Sequence, residues 1–293
     1  MRITQGMMSN NMLRNLSNSY QKLDTYMNQL NTGKKINLPS DDPVIAMKGM
    51  NYRSQVTEVE QFHRNTNEVH NWMDNSDASL DKATKGLQKL RELAVQASNS
   101  TYGSEERNSI KEEAEQLKKH LIDIANTNVN GKYIFNGTNT GEAPVNEIDG
   151  ELSFPEGRME PVNIEVFHGT KIQANVNTTE IFGEDLFNDI DQFINALNDD
   201  NQDGIQGSIE TLDKNINNVV NARADLGARM NRLDLIENRL SEQKNIATRT
   251  MAENEDVDYE VAITNLLTQE SLLRASLAAG SKIIQPSLID FLR

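Results

Sequence analysis

Apolar residues recur at alternating three- and four-residue steps along most of this chain, the spacing that lays a narrow stripe down one face of an α-helix. The first stripe runs Leu16, Tyr20, Leu23, Met27, Leu30, and Asn31-Thr32-Gly33 then cuts it with residues that tolerate the left-handed conformation at helix ends. A loop follows through Pro39. Ser40-Asp41-Asp42-Pro43 reads as a helix start, because an Asp side chain can cap free N–H groups and Pro43 suits a first turn that needs no donor. The helix it opens holds Val59, Phe62, Thr66, Val69, Met73, Ser76, Leu80, Ala83, Leu87, Leu90, Ala94 and Ala97 in one register. From Pro43 to Ser98 it would extend roughly 80 Å.

A turn through Ser98–Gly103 precedes another start, where Ser104 with Glu105 and Glu106 suits the cap and dipole of a helix carrying Ile110, Ala114, Leu117, Leu121 and Ile124. Gly131 is the expected stop. The period then changes: Tyr133-Ile134-Phe135, Leu152-Ser153-Phe154, Val162 to Phe167 and Ile172 to Val176 are short, partly alternating runs separated by Gly, Pro and Asn, which predicts strands. Helical spacing returns near Glu184. Later stripes run Val219, Leu226, Met230, Leu233, Ile236, Leu240, Ala247 and Leu266, Leu273, Leu277, Ile284, Leu288.

The predicted fold is therefore mainly α with a small antiparallel β insert, an elongated coiled-coil rod built from both halves of the chain. Residues 1–40 and 255–293 would be terminal assembly helices, 41–131 and 184–254 the helical rod, and 132–183 the insert. The terminal stripes are sparse and rich in polar or small residues, too little apolar surface to offset the entropy of ordering a lone helix. Such ends need partners, and Leu16, Leu23, Leu30, Leu266, Leu273, Leu277, Ile284 and Leu288 are the expected interface residues. The insert begins where one helix closes and ends where the next opens, so its removal is expected to leave the helices unchanged.

Composition narrows the function. Twenty-nine Lys and Arg against 44 Asp and Glu leave a net charge of −15, with no basic surplus to neutralise phosphates or an anionic membrane. Only 37% of residues are hydrophobic and 5% aromatic, lean for compact cores at 293 residues and in keeping with a rod. The absence of Cys removes disulfides, thiolate metal sites and a cysteine nucleophile. No apolar run approaches a membrane span, and Met1-Arg2-Ile3-Thr4-Gln5-Gly6 lacks an apolar leader core, so a soluble, uncleaved chain is expected.

Candidate chemistry is thin. Asp199, Asn201, Asp203, Gly204 and Glu210 match the twelve-residue calcium-loop pattern, but Gln206 holds a position where an aliphatic residue normally pairs with a second loop, and no second loop exists. A polar turn between helices is the simpler reading. His63, His70, His120 and His168 form no recognisable ligand motif and are expected to be isolated imidazoles, so no metal is assigned. Nucleophile-elbow, phosphate-loop and dinucleotide motifs are missing, no carboxylate pair is singled out, and neither catalytic nor cofactor residues are assigned. Between Ile172 and Asp213 there is no Lys or Arg, which predicts a negative outer surface. Trp72 and Met73 are expected to be packing residues.

Three segments resemble the flagellin-like axial proteins of the bacterial flagellum. Leu30-Asn31-Thr32-Gly33-Lys34-Lys35-Ile36-Asn37 followed by Asp41-Asp42 is similar to the family's amino-terminal signature. Arg91-Glu92-Leu93-Ala94-Val95-Gln96-Ala97-Ser98-Asn99 is similar to the end of its long helix, and Arg223 to Leu233, with Leu226, Gly227, Asn231 and Arg232, resembles its first carboxy-terminal segment. The matches lie in both arms and in order. Pro43 after the Asp pair, Gly131-Lys132-Tyr133-Ile134-Phe135-Asn136-Gly137, the start Arg2-Ile3-Thr4-Gln5 and the ending Ser287 to Leu292 resemble the branch that joins hook to filament more than the filament flagellins.

The resemblance implies a non-catalytic, exported subunit without a cleaved signal peptide. Its partners would be further copies of itself, the hook-side junction protein, flagellin and a flagellar export chaperone, with no nucleic acid or membrane insertion. Filament flagellin is the alternative within the family. A cytosolic coiled-coil regulator sharing only heptads is the alternative outside it.

Overall fold

The computed structural model describes residues 5–99, 103–148, 151–154 and 160–284. Leu288, and with it the expected end of the last stripe, lies outside them. Among the described residues six helices and three hairpins follow in the order α1 (Gln5–Thr32), α2 (Pro43–Ala97), α3 (Ser104–Ala125), β1 (Asn128–Val129), β2 (Lys132–Tyr133), β3 (Asn146–Ile148), β4 (Glu151–Ser153), β5 (Asn163–Phe167), β6 (Thr170–Gln173), α4 (Glu184–Asn198), α5 (Gln202–Glu255) and α6 (Tyr259–Ile284). The fold is mainly α with a small antiparallel β insert. The chain divides into two compact units, Met1–Glu58 with Gln243–Arg293, and Val59–Glu242. Among the described residues no helix is long and apolar enough to cross a membrane.

In the second unit the heptad reading holds residue by residue. Every position of the α2 stripe from Val59 to Ala97 is buried except Phe62, which is half-buried and stacks on Phe167 at 6.2 Å between ring centroids. Two of these positions are polar, and each satisfies its hydroxyl on its own helix: Thr66 donates to the His63 carbonyl at 2.8 Å and Ser76 to the Trp72 carbonyl at 2.8 Å. On α5 every seventh residue from Ile205 through Leu212, Val219, Leu226, Leu233 and Leu240 is buried.

Side-chain pairs show that these helices run antiparallel. Arg91 meets Asp213 at 2.5 Å, Arg223 meets Asp77 and Asp81 at 2.9 Å each, and His70 meets Glu237 at 3.1 Å, so partners climb one helix as they descend the other. Lys118 reaches Asp191 at 2.6 Å and Lys111 reaches Asn198 at 2.9 Å, setting α3 antiparallel to α4 in the same way.

Several expectations change. Helix α3 ends at Ala125 rather than at Gly131: Asn130 (φ 54°) and Gly131 (φ 80°) are the two central residues of the β1–β2 hairpin. An Asn-Gly pair with positive φ at both positions matches the twist of a two-residue hairpin, a stronger signal than a helix stop. The residue preceding α3 is Gly103, not Ser104, and the Glu106 carboxylate accepts its N–H at 3.0 Å. The calcium pattern does not form a loop, because α5 begins at Gln202 and Asp203 to Glu210 are helical. The acidic stretch is not uniformly free surface either: Asp191, Asp200 and Asp213 pair with Lys118, Arg107 and Arg91 from earlier helices.

The insert is three separate two-stranded hairpins rather than one sheet. None could be stable alone, and their apolar residues are spent on the helices. Ile134, Phe135, Val145, Val166, Ile172, Val176, Ile181 and Phe182 belong to the same buried cluster as Trp72, Leu80, Leu121, Phe187 and Ile190. Phe135 and Phe182 meet edge to face at 5.1 Å, and the Trp72 indole N–H donates to the Ile134 carbonyl at 3.2 Å. This packing argues against the expectation that the insert could be removed without disturbing the helices.

Candidate assembly surfaces

In the first unit α1 and α6 pair antiparallel. Met12, near the start of α1, lies against Gly280 near the end of α6, so close that a Cβ there would collide with the Met12 methyl, while Tyr259 at the start of α6 approaches Gly33 just beyond α1. Leu16, Leu23 and Leu30 are half-buried on α1. On α6, Ala262, Leu266, Gln269, Leu273, Ser276 and Gly280 form the more buried face at steps of four and three. Leu273 is 9% exposed, whereas Leu277 is 44% exposed and stands outside the seam. Ile284 ends α6.

A polar knot closes this pair at its α2 end. Gly33 adopts φ 69° directly after α1 and its N–H returns to the Gln29 carbonyl at 2.8 Å, a left-handed stop that a side chain would strain. The freed chain then bridges to the segment between α5 and α6: Lys35 N–H donates to the Glu255 carbonyl at 2.7 Å and Val257 N–H to the Gly33 carbonyl at 2.9 Å. Glu255 is buried and takes two hydrogen bonds from Arg53, at 2.8 and 2.7 Å, with Lys34 at 3.4 Å.

The Arg53 hydrogen bonds are the main reason that the Glu255 carboxyl is held below its ordinary range, with Lys34 adding to them and burial opposing. Lys34 is raised, chiefly by its hydrogen bond to Asp256 at 2.7 Å.

The adjacent Asp pair has two distinct tasks. Asp41 accepts the Asn37 and Leu38 N–H groups at 3.1 and 2.9 Å, shaping the loop, and Asp42 accepts those of Val44 and Ile45 at 2.9 and 3.1 Å, capping α2 with Pro43 in its first turn. In the second unit Leu93 and Leu226 are buried, and Arg91 makes the ion pair to Asp213. Glu92 is exposed, with its carboxylate 3.9 Å from Lys89. Asn231 and Arg232 are exposed on α5, and a Cβ on Gly227 would meet only open space.

The first unit also leaves large apolar side chains uncovered. Leu13, Tyr20 and Met27 stand seven residues apart on α1 and are 56, 50 and 48% exposed. Ile263, Leu267, Leu272 and Leu277 on α6, with Val44, Met47 and Met50 on α2, are also exposed. Exposed apolar side chains gathered on one helix face, as Leu13, Tyr20 and Met27 are by their spacing, suit contacts with other chains. The heptad spacing of the α1 set is a signal the sequence carries, but the expected stripe omits Leu13 and places Tyr20 and Met27 on the same face as Leu16, Leu23 and Leu30, from which the structure separates them.

The bacterial flagellin N-terminal helical region matches residues 3–140 and the bacterial flagellin C-terminal helical region matches residues 209–292. Flagellar hook-associated protein 3 of Escherichia coli is 27% identical, over 95% of this chain and 96% of its own length. The flagellar filament 31.3 kDa core protein of Treponema maltophilum is 30% identical, over 78% of this chain and 76% of its own. The flagellar junction protein FlgL of Legionella pneumophila shares the fold, with a TM-score of 0.59 at 16% identity, over 71% of this chain and all of its own. With helical regions matched in both arms and a relative this similar over most of its length, the chain belongs to the flagellin family.

Proposed function

We propose that this chain is a non-catalytic structural subunit of the bacterial flagellum, forming the layer between the hook-side junction protein and the flagellin filament. The observation that carries the reading is the likeness to flagellar hook-associated protein 3 over nearly the whole of both chains, insert included. The uncovered apolar faces of α1 and α6 support it, since identical neighbours can bury them by head-to-tail contacts that need not close into a ring. Leu277, outside the α1–α6 seam, belongs to such a surface, and Gly227, Asn231 and Arg232 offer a second, on α5. The domain division follows: terminal helices (residues 1–40 and 255–293) make axial contacts, the helices of 41–131 and 184–254 form the rod, and the hairpins of 132–183 face outward.

The chain would be exported without a cleaved signal peptide, handed over by a flagellar export chaperone that holds the carboxy-terminal helix, and would reside outside the cell. A filament role is the second reading, favoured by the 30% identity to a filament core protein. Deleting the gene is expected to leave hooks without filaments and free flagellin in the medium. Immunogold labelling of a tagged chain should mark only the hook–filament boundary. Intact filaments in the deletion strain would refute the junction role, and label along the whole filament would establish the second reading.

A further inference from the structure

His63 and His70 stand one heptad apart on α2 and face Asp234 and Glu237, three apart on the antiparallel α5. The imidazoles expected to be isolated are thus gathered with two carboxylates. His70 Nε2 lies 3.1 Å from Glu237 Oε2 and 3.5 Å from Asp234 Oδ1, and the three ligand atoms all fall within 4.8 Å of one another. His63 Nε2 approaches the other Glu237 oxygen at 3.9 Å. We propose that His70, Asp234 and Glu237, with His63 as a fourth ligand, form a binding site for a divalent transition-metal ion of the zinc class that ties α2 to α5.

The spacing suits such an ion. Ligands about 2.0–2.2 Å from a tetrahedral centre are held roughly 3.3–3.6 Å apart, close to the two separations at His70. The widest separation among these three atoms, no more than 4.8 Å, closes by rotation of the Asp234 side chain, which is 59% exposed. Imidazole nitrogen selects zinc, nickel or cobalt over calcium and magnesium, which take oxygen ligands. Both ligand pairs sit on long helices of one compact unit, so the backbone positions are held before the ion arrives. The competing account is a plain hydrogen bond between His70 and its carboxylates, which needs no metal and leaves no ion-dependent signal.

The test is titration of the EDTA-treated, dialysed full-length chain with zinc chloride, by calorimetry and by thermal melting. The expected result is one saturable ion per chain and a rise in Tm. His70→Ala should weaken binding by at least about tenfold, the scale on which loss of even an outer-shell partner acts. His63→Ala should weaken it less, and the exposed His120→Ala should change nothing. If His70→Ala alters the circular dichroism of the metal-free chain, Asp234→Asn, at a more exposed position, decides in its place. No saturable binding up to about 1 mM zinc, or binding that survives both His70→Ala and Asp234→Asn, overturns the site and leaves the hydrogen bond.

Discussion

Glu255 shows how one side chain can join three segments. Its carboxylate accepts from Arg53 Nε and Nη2 and is approached by Lys34, and the residue's main-chain carbonyl accepts the Lys35 N–H. Arg53 is 63% exposed, so water will take up much of what the pair loses, and Glu255→Gln is expected to cost only about 1 kcal/mol at pH 7. The sign with pH follows from the depressed carboxyl. The unfolded chain takes up the proton first, so the contribution is complete above about 4.3, the ordinary Glu value, and is lost as pH falls through the lower folded value. The gap between wild type and Glu255→Gln should therefore narrow below about pH 4. Amide exchange at Lys35 and Val257, whose N–H groups cross this junction, is the local measurement. An unchanged gap at low pH would remove the carboxylate from the account.

The seam between α1 and α6 separates two kinds of leucine. Leu273 is buried against α1, and Leu273→Asp places an unpaired charge there, which should cost about 3 kcal/mol and open the pair. Leu277→Asp lies on the uncovered side and should leave the pair closed. Both variants are expected to lose filament attachment, for different reasons. Hydrogen exchange along α1 and α6 distinguishes them: fast in Leu273→Asp, unchanged in Leu277→Asp, and the α2 stripe of the second unit protected in both. Normal attachment with Leu277→Asp would mean that this face of α6 is not used between subunits.

Across the chain, helices and insert are not independent modules. Deleting residues 132–183 behind a Gly/Ser bridge is cheap in loop entropy, yet it takes Ile134, Phe135, Val166, Ile172 and Phe182 out of the core and bares Trp72 and Phe187. At about 1.5–3 kcal/mol for each large side chain lost from burial, the loss is comparable with the roughly 5–15 kcal/mol that holds a domain together. The deletion is expected to lose cooperative unfolding of the second unit, seen as loss of the near-ultraviolet signal of Trp72 and rapid proteolysis. A cooperative melt within a few degrees of wild type would show that the helices do not need the hairpins.

The long helices were legible because their information is local and repeated: a stripe from Val59 to Ala97 states the period, the face and the length, and Asp42-Pro43 states the start. The three signature segments were likewise contiguous in sequence. The Asn130-Gly131 turn is local as well: an Asn-Gly pair between two apolar runs is a hairpin signal carried by the sequence itself. What the sequence could not determine is which stripes meet. Leu16, Tyr20 and Leu23 follow one another at three- and four-residue steps, yet only contact with α6 separates a half-buried Leu16 and Leu23 from an exposed Tyr20. The His70–Glu237 approach joins residues 167 apart, and that between Arg53 and Glu255 joins residues 202 apart. Antiparallel packing of α2 on α5 selects the partners, because a charge on one helix has many equivalent candidates on another until register is set by the buried heptads between them.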